Sequence, residues 1–186
     1  MSPAAEKAGA AGGEKPPVAF FDRDGVLNHD RGYVHDPSAF LWIEGAREAV
    51  CLVRELGYLA VVVTNQSGVA RGFYTEEQVR RLHEWINRDL AELGGRIDAF
   101  YFCPHHPEGS VTRYRGPCAC RKPAPGLLER AFSETNGRPE GSFLIGDKPT
   151  DLAAAEAAGV PGFLFEGGNL LAFVREILAK KGPFTR

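Results

Sequence analysis

The chain has 186 residues and a formal net charge of −2 at pH 7, with 44% hydrophobic and 25% charged residues. That balance fits one soluble domain with a real core and excludes a wholly disordered chain. The most apolar run, Tyr58 to Val63, falls far short of the ~20 residues that span a bilayer, and 22 Lys+Arg against 24 Asp+Glu leave no basic footprint for nucleic acid. Neither a membrane nor a nucleic-acid partner is expected, and the chain is read as a monomer.

Residues 1–17 carry no large apolar side chain after Met1 and end in Pro16-Pro17. They read as a disordered tail, with no apolar signal-peptide core, which places the protein in the cytoplasm with its cysteines reduced. A single domain over 18–186 follows. Val18–Phe21 is a short apolar run of the buried-strand kind. Ala46, Ala49, Val50, Val53 and Leu56 recur at helical spacing within Gly45–Leu56. Leu59–Val63 reads as a second strand. Thr75 and Gln78 form a capping box before a helix whose face carries Val79, Leu82, Ile86, Leu90 and Leu93, closed by Gly94-Gly95. Asp98–Phe102 is a third strand, and the proline-rich stretch Cys103–Pro125 has no helical period. A helix over Gly126–Asn136, a strand over Phe143–Ile145, an Ala-rich helix over Asp151–Ala158, a strand over Gly162–Phe165 and a helix over Asn169–Lys180 complete the chain. Strands alternating with helices imply an α/β fold: a Rossmann-like, three-layer parallel sheet with helices on both faces.

An open parallel sheet binds ligands beyond the carboxyl ends of its strands, so the residues just after each strand are the informative ones. Asp22 and Asp24 follow the first, Thr64-Asn65-Gln66-Ser67 the second, and Asp147-Lys148 the fourth; Lys122 leads into the helix before the fourth. Asp22 and Asp24, two apart on extended backbone, point to one side. Clustered carboxylates need a cation, and an all-oxygen set with Asp147 suits Mg²⁺. One carboxylate can then attack phosphorus and the other can move the proton. Thr64 and Lys122 would hold the non-bridging oxygens. Asp151 is either a further site group or only a helix cap.

Cys103, His105, Cys118 and Cys120 give C-x-H-x12-C-x-C, three thiolates and an imidazole, a closed tetrahedral set for structural Zn²⁺. A zinc loop over 103–122 would explain how a proline-rich stretch is ordered. His106 is the alternative to His105, a disulfide the alternative to the metal, and Cys51 reads as a core residue.

Phe21-Asp22-Arg23-Asp24-Gly25-Val26-Leu27-Asn28 resembles the first motif of the haloacid dehalogenase (HAD) superfamily of phosphatases. Val63 to Val69, Arg121-Lys122-Pro123 and Gly146 to Asp151 resemble the second, third and fourth. The resemblance implies Asp22 as nucleophile, Asp24 as general acid/base, and Mg²⁺ held by Asp22, the backbone carbonyl of Asp24 and Asp147. The zinc loop just before Arg-Lys-Pro, Asp30-Arg31-Gly32-Tyr33-Val34 and Cys103 to Gly109 are similar to a narrower branch, the heptose 1,7-bisphosphate and histidinol-phosphate phosphatases; no room is expected for the large cap domain of many relatives. That branch implies substrate contacts from Asp30, Arg31, Gly32, Tyr33 and Lys148, with Arg121 gripping a second phosphate; Asn65, Gln66 and Ser67, just after the second strand, are the further candidates for substrate contact. The substrate expected is a small phosphorylated sugar, D-glycero-D-manno-heptose 1,7-bisphosphate cleaved at C7. The alternatives are histidinol phosphate, or a zinc-containing regulatory or nucleic-acid-binding module.

Overall fold

The computed structural model describes residues 14–181. Five parallel strands, β1 (Pro17–Phe21), β2 (Leu59–Asn65), β3 (Ala99–Cys103), β4 (Arg138–Gly146) and β5 (Gly162–Leu164), form one sheet in the order β3-β2-β1-β4-β5. The helices are α1 (Ala46–Glu55), α2 (Glu76–Ala91), α3 (Gly126–Thr135), α4 (Pro149–Ala157) and α5 (Leu170–Lys181), with single 3₁₀ turns at Pro37–Ala39 and Thr112–Tyr114. No described helix is long and apolar enough to cross a membrane.

Alternation along the strands builds the two sides of the core. Ala19, Phe21, Ala60, Val62, Phe143 and Ile145 pack under α1, α2 and α5. Val18, Phe20, Val61, Val63 and Leu144 face the other way, under α3 and α4. The result is the three-layer α/β sandwich expected, with no large cap among the described residues. The capping box forms: Gln78 N–H donates to Thr75 Oγ1 (3.2 Å) and Thr75 N–H to Gln78 Oε1 (2.9 Å).

Several boundaries differ. Pro17, placed in the tail, opens β1; residues 1–13 of that tail lie outside the described residues. Thr64 and Asn65 are still paired in β2, to Phe102 and Cys103, so both belong to the strand and not to the loop after it. Cys103 ends β3 rather than opening the loop. Leu93 lies beyond the end of α2 and is half exposed, off the apolar face to which spacing assigned it.

His83 is a neutral imidazole buried within this core. It stacks on Phe100 (4.3 Å between centroids, 12° between planes), and its Nε2 has no hydrogen-bond partner. Burial holds its pKa well below the usual value, with Arg23 and Arg80 adding to the effect. The unfolded chain takes up this proton near pH 6.5 and the folded chain does not. The stability linked to His83 is therefore complete above that pH and is lost as the pH falls. His83→Phe, which keeps the stack and removes the titration, should gain on the wild type between pH 7.5 and pH 5 in urea unfolding; a constant difference across that range would contradict the assignment.

Candidate active site

The parallel strands share one C-terminal edge, and a cavity of about 330 Å³ opens there. Asp22 and Asp24 reach it from just past β1, Thr64 and Asn65 from the end of β2, and Gln66 and Ser67 from the turn that follows. Lys122 enters from the proline-rich segment, and Lys148, Thr150 and Asp151 from the start of α4. Asp30, Gly32 and Tyr33 close one side and Tyr74 another. Asp147 lies beside this cavity and, with Asp30, lines a neighbouring one together with His29 and Glu166. Gly25 lets Asp147 approach: at φ +92° a Cβ there would sit 2.3 Å from Asp147 Oδ2.

Lys122 is buried and charged. Its Nζ lies 2.9 Å from Asp22 Oδ1 and 2.5 Å from Asp151 Oδ1 and donates to Val63 O at 2.8 Å. Burial opposes its charge, but the two carboxylates outweigh that and hold it above its ordinary pKa. Asn65 fixes its backbone from both sides, accepting from Lys122 N–H and donating to Lys122 O, each at 3.1 Å. Asp151 also accepts from Lys148 N–H (3.0 Å), so it is both the first-turn partner of α4 and the second carboxylate on Lys122.

Burial pushes Asp22 up to about 7; Lys122 pulls against this, while Asp151 and Asp24 add to it. Asp147 is raised by burial and by Asp151, against Lys148. The carboxyl oxygens of Asp22, Asp147 and Asp151 lie within 4.8 Å of one another, and Asp147 Oδ1 is buried with no hydrogen-bond partner. A hard divalent cation fits this set, since it would ionise the raised acids and occupy the orphaned oxygen. Lys122 and Lys148 N–H occupy the Asp151 carboxylate and Lys122 one oxygen of Asp22, so such a cation would be held by Asp147 and the other oxygen of Asp22.

Asp24 is held differently. Burial would raise its pKa, but the Arg23 guanidinium and hydrogen bonds from Asn28 and Gln66 hold it below the usual range. Its carboxylate accepts from Arg23 Nη2 (2.9 and 3.1 Å), Gln66 Nε2 (2.8 Å) and Asn28 Nδ2 (3.0 Å). It stands apart from the carboxylate cluster, so only its backbone carbonyl remains for a cation.

Cys103, His105, Cys118 and Cys120 converge as their spacing implies. The Sγ atoms are 3.1–3.5 Å apart and His105 Nδ1 lies 3.4 Å from Cys120 Sγ and 3.7 Å from Cys103 Sγ. All are free thiols, which rules out the disulfide in this structure. Four soft and borderline donors in a tetrahedral cluster fit Zn²⁺. His106 points elsewhere: its Nδ1 accepts from Glu108 N–H (3.1 Å) and its Nε2 lies 3.4 Å from Arg71 Nη2. Cys51 is half-buried on α1, its thiol at 3.8 Å from Leu93 O, and is not a fully buried core residue.

Two expected substrate contacts do not line the cavity. Arg31 is exposed on the turn between Asp30 and Gly32. Arg121 donates from Nη1 to His105 O (3.3 Å), and with Arg71 it flanks His106, beside the cavity rather than in it. Sequence reasoning missed Arg23, Asn28 and Tyr74. For Arg23 there was no local signal: β1 ends at Phe21, and Arg23 opens a turn, its carbonyl accepting from Val26, Leu27 and Asn28 N–H.

The Hydrolase_like family model, described as HAD-hydrolase-like, matches residues 119–176. A D-glycero-beta-D-manno-heptose-1,7-bisphosphate 7-phosphatase of Rhodopseudomonas palustris is 43% identical over 168 residues, 90% of this chain and 93% of the relative. The protein of that name from Yersinia pestis is 48% identical over 144 residues, 77% of each chain. Among solved structures, the D,D-heptose 1,7-bisphosphate phosphatase of B. bronchiseptica, complexed with magnesium and phosphate, superposes with a TM-score of 0.72 at 33% identity, covering 90% of this chain and 88% of that one.

Proposed function

This chain belongs to the heptose bisphosphate phosphatase family of HAD-like hydrolases, and on that premise we propose that it removes the C7 phosphate of D-glycero-D-manno-heptose 1,7-bisphosphate through an aspartyl phosphate on Asp22. It is a phosphoric monoester hydrolase. The observation that carries the mechanism is the buried Asp22–Lys122–Asp151 chain at the C-terminal edge of the sheet, with Thr64 and the Asp147 carboxylate beside it. Mg²⁺ held by Asp22 and Asp147 would supply positive charge against the phosphoryl oxygens and keep Asp22 ionised.

An Asp22 carboxylate oxygen attacks phosphorus, and the bond from phosphorus to the sugar oxygen breaks. Asp24, which the free protein holds as the carboxylate, must take up a proton in the substrate complex; it gives that proton to the departing alkoxide and is left as the carboxylate. That carboxylate then takes a proton from water as the water oxygen attacks phosphorus, which frees Asp22 and inorganic phosphate and restores the acid. Lys122 and Thr64 bind the non-bridging oxygens through both steps. Lys122 is rigid for this task because Asn65 clasps its backbone and Asp151 its ammonium. Asp30, Gly32, Tyr33, Gln66, Ser67 and Lys148 would contact the sugar phosphate from the cavity wall.

Arg121 stands beside the cavity rather than in it, so it would meet only a second phosphate that extends out of the cavity, and that tests the substrate class. Arg121→Ala should lower kcat/KM for a sugar bisphosphate by about 10–100-fold, the scale of a charge-assisted contact, and by less than about threefold for a monophosphate of similar size. Equal losses would remove the case for a bisphosphate. The acidic wall of the neighbouring cavity, Asp30, Asp147 and Glu166, favours a cationic substrate end and hence histidinol phosphate as the second reading. Phosphate release from heptose 1,7-bisphosphate, fructose 1,6-bisphosphate and histidinol phosphate separates them: the heptose ester should give the highest kcat/KM, and a lead for histidinol phosphate would reverse the assignment.

A further inference from the structure

Arg23 sits between the two aspartates of the site and is completely buried. A buried guanidinium is expensive unless it is paired and hydrogen-bonded. Its Nη1 is buried with no partner, so the offset must come through the rest of the head group. Almost all of it passes through one atom. Nη2 donates to both oxygens of Asp24 (2.9 and 3.1 Å), to Val34 O (2.5 Å) and to Gln66 Oε1 (3.1 Å). These three partners come from three different places: the turn after β1, the segment 29–35 at the cavity rim, and the turn after β2.

Each partner is held from a further side. Gln66 donates from Nε2 to Asp24 Oδ2 (2.8 Å) and to Thr64 Oγ1 (2.9 Å), while its Oε1 accepts from Tyr74 O–H (2.8 Å) as well as from Arg23. Asp24 is thus clamped between a guanidinium and an amide. Val34 directly follows Tyr33, whose φ of +54° is a left-handed conformation that a bulky side chain adopts only when its surroundings impose it. The Tyr33 ring packs edge-on against Phe73 (4.7 Å) and the His35 ring stacks on Tyr74 (4.7 Å). The anchor at Val34 O keeps this rim segment, with the cavity-lining Asp30, Gly32 and Tyr33, at a fixed distance from the Asp24 carboxylate.

We propose that Arg23 is a positioning residue, which sets the Asp24 carboxylate and the 29–35 rim segment as one unit, so that proton transfer to the leaving group and the grip on the sugar depend on the same guanidinium. The inference rests on the phosphatase reading above. It touches no reacting atom; it acts through Asp24 and Val34. Lysine is an imperfect replacement, because its ammonium ends one bond short of the Nη2 position and its flexible stem lacks the planar head group that fixes that atom among Asp24, Val34 O and Gln66. A substrate whose leaving group needs no proton and does not reach the rim, such as p-nitrophenyl phosphate, should keep its kcat/KM, which extends only to formation of the phosphoenzyme; its kcat, which includes the attack of water, still depends on Asp24.

The test compares Arg23→Lys and Arg23→Gln with the wild type on a sugar bisphosphate and on p-nitrophenyl phosphate, with thermal melting as a folding control. For the sugar ester, kcat should fall about 100-fold, the scale of an ångström's misplacement, with KM raised. For p-nitrophenyl phosphate kcat/KM should stay within about fivefold. Folded variants that lose both activities equally, or neither, overturn the proposal. If neither variant folds, Tyr74→Phe decides in their place. It removes only the hydroxyl that holds Gln66, and a loss confined to the sugar ester supports the clamp while no loss refutes it. Wild-type turnover of heptose 1,7-bisphosphate is measured first. If that is absent, the substrate reading fails, and the comparison is run with glycerol phosphate, whose alkoxide also needs a proton, so that Arg23 is still decided.

Discussion

Asp22→Asn is expected to abolish turnover, with kcat down by at least about 10⁴-fold, and to leave a folded protein that forms no phosphoenzyme. An amide has no charge with which to attack phosphorus, and it removes one of the two carboxylates proposed to hold Mg²⁺. The fold survives because Lys122 keeps Asp151 and Val63 O as partners. Stability provides an independent check. Burial raises Asp22 to about 7, so in metal-free protein above that pH the fold carries an ionised acid that it disfavours. A raised acid gives stability that is complete below the unfolded pKa and lost as the pH rises through the folded one. Metal-free Asp22→Asn should therefore melt at or above the wild type at pH 8, and the advantage should shrink by pH 5. Quenched samples read by mass spectrometry for a phosphorylated Asp22, alongside melting curves at the two pH values, test both halves. Near-normal activity in the folded variant would sink the mechanism.

The residues that stand at the sheet edge were legible because the rule behind them is geometric. A parallel strand that ends in a polar run places that run where ligands bind, whatever the rest of the chain does. Asp22, Thr64 and Lys148 line the cavity for that reason, with Asp147 at its side, whereas Lys122 reaches it from the proline-rich segment before α3. The cluster of Cys103, His105, Cys118 and Cys120 was legible because few side-chain types suit zinc and the spacing within each pair is local. What could not be read were the relations between side chains. Arg23 reads as a charge just past a strand end, and nothing local says that it is buried or that its partners are Gln66 and Val34 O. Asn65 reads as a ligand contact, but its amide lies along the Lys122 backbone, 57 positions away. β4 starts five residues before its apolar run because residues 139–141 are exposed and carry no core signal. Leu93 failed for the opposite reason: helical spacing was carried past the point where α2 ends.

Loss of zinc should be the second largest effect, and it should act through geometry rather than chemistry. One zinc per chain is expected in protein purified without chelator. The four ligands leave no open position, so added zinc should not speed turnover. Cys118→Ser should lower stability by several kcal/mol, because the energy of a structural zinc site is folding energy. The damage should then travel a short way. Cys120 is followed directly by Arg121 and Lys122, and Arg121 is held by the carbonyl of the ligand His105. The same loop is pinned to the β2–α2 turn by Val111 N–H on Ala70 O (2.9 Å) and by Ser110 O–H on Arg71 O (2.9 Å), and to α2 by Tyr114 O–H on Glu76 (2.6 Å). Those pins hold the loop near the site but not Lys122 in register; once the thiolates are released, that is left to the Asn65 clasp on its backbone and to Asp22, Asp151 and Val63 O on its ammonium. Activity should fall in Cys118→Ser even below its melting temperature, and excess Mg²⁺ should not restore it. Asp22→Asn, by contrast, should keep its full zinc content. Elemental analysis without zinc, or Cys118→Ser with wild-type melting, would leave the ordering of a proline-rich loop between β3 and α3 without a cause and would return the four side chains to the status of reduced cysteines beside a histidine.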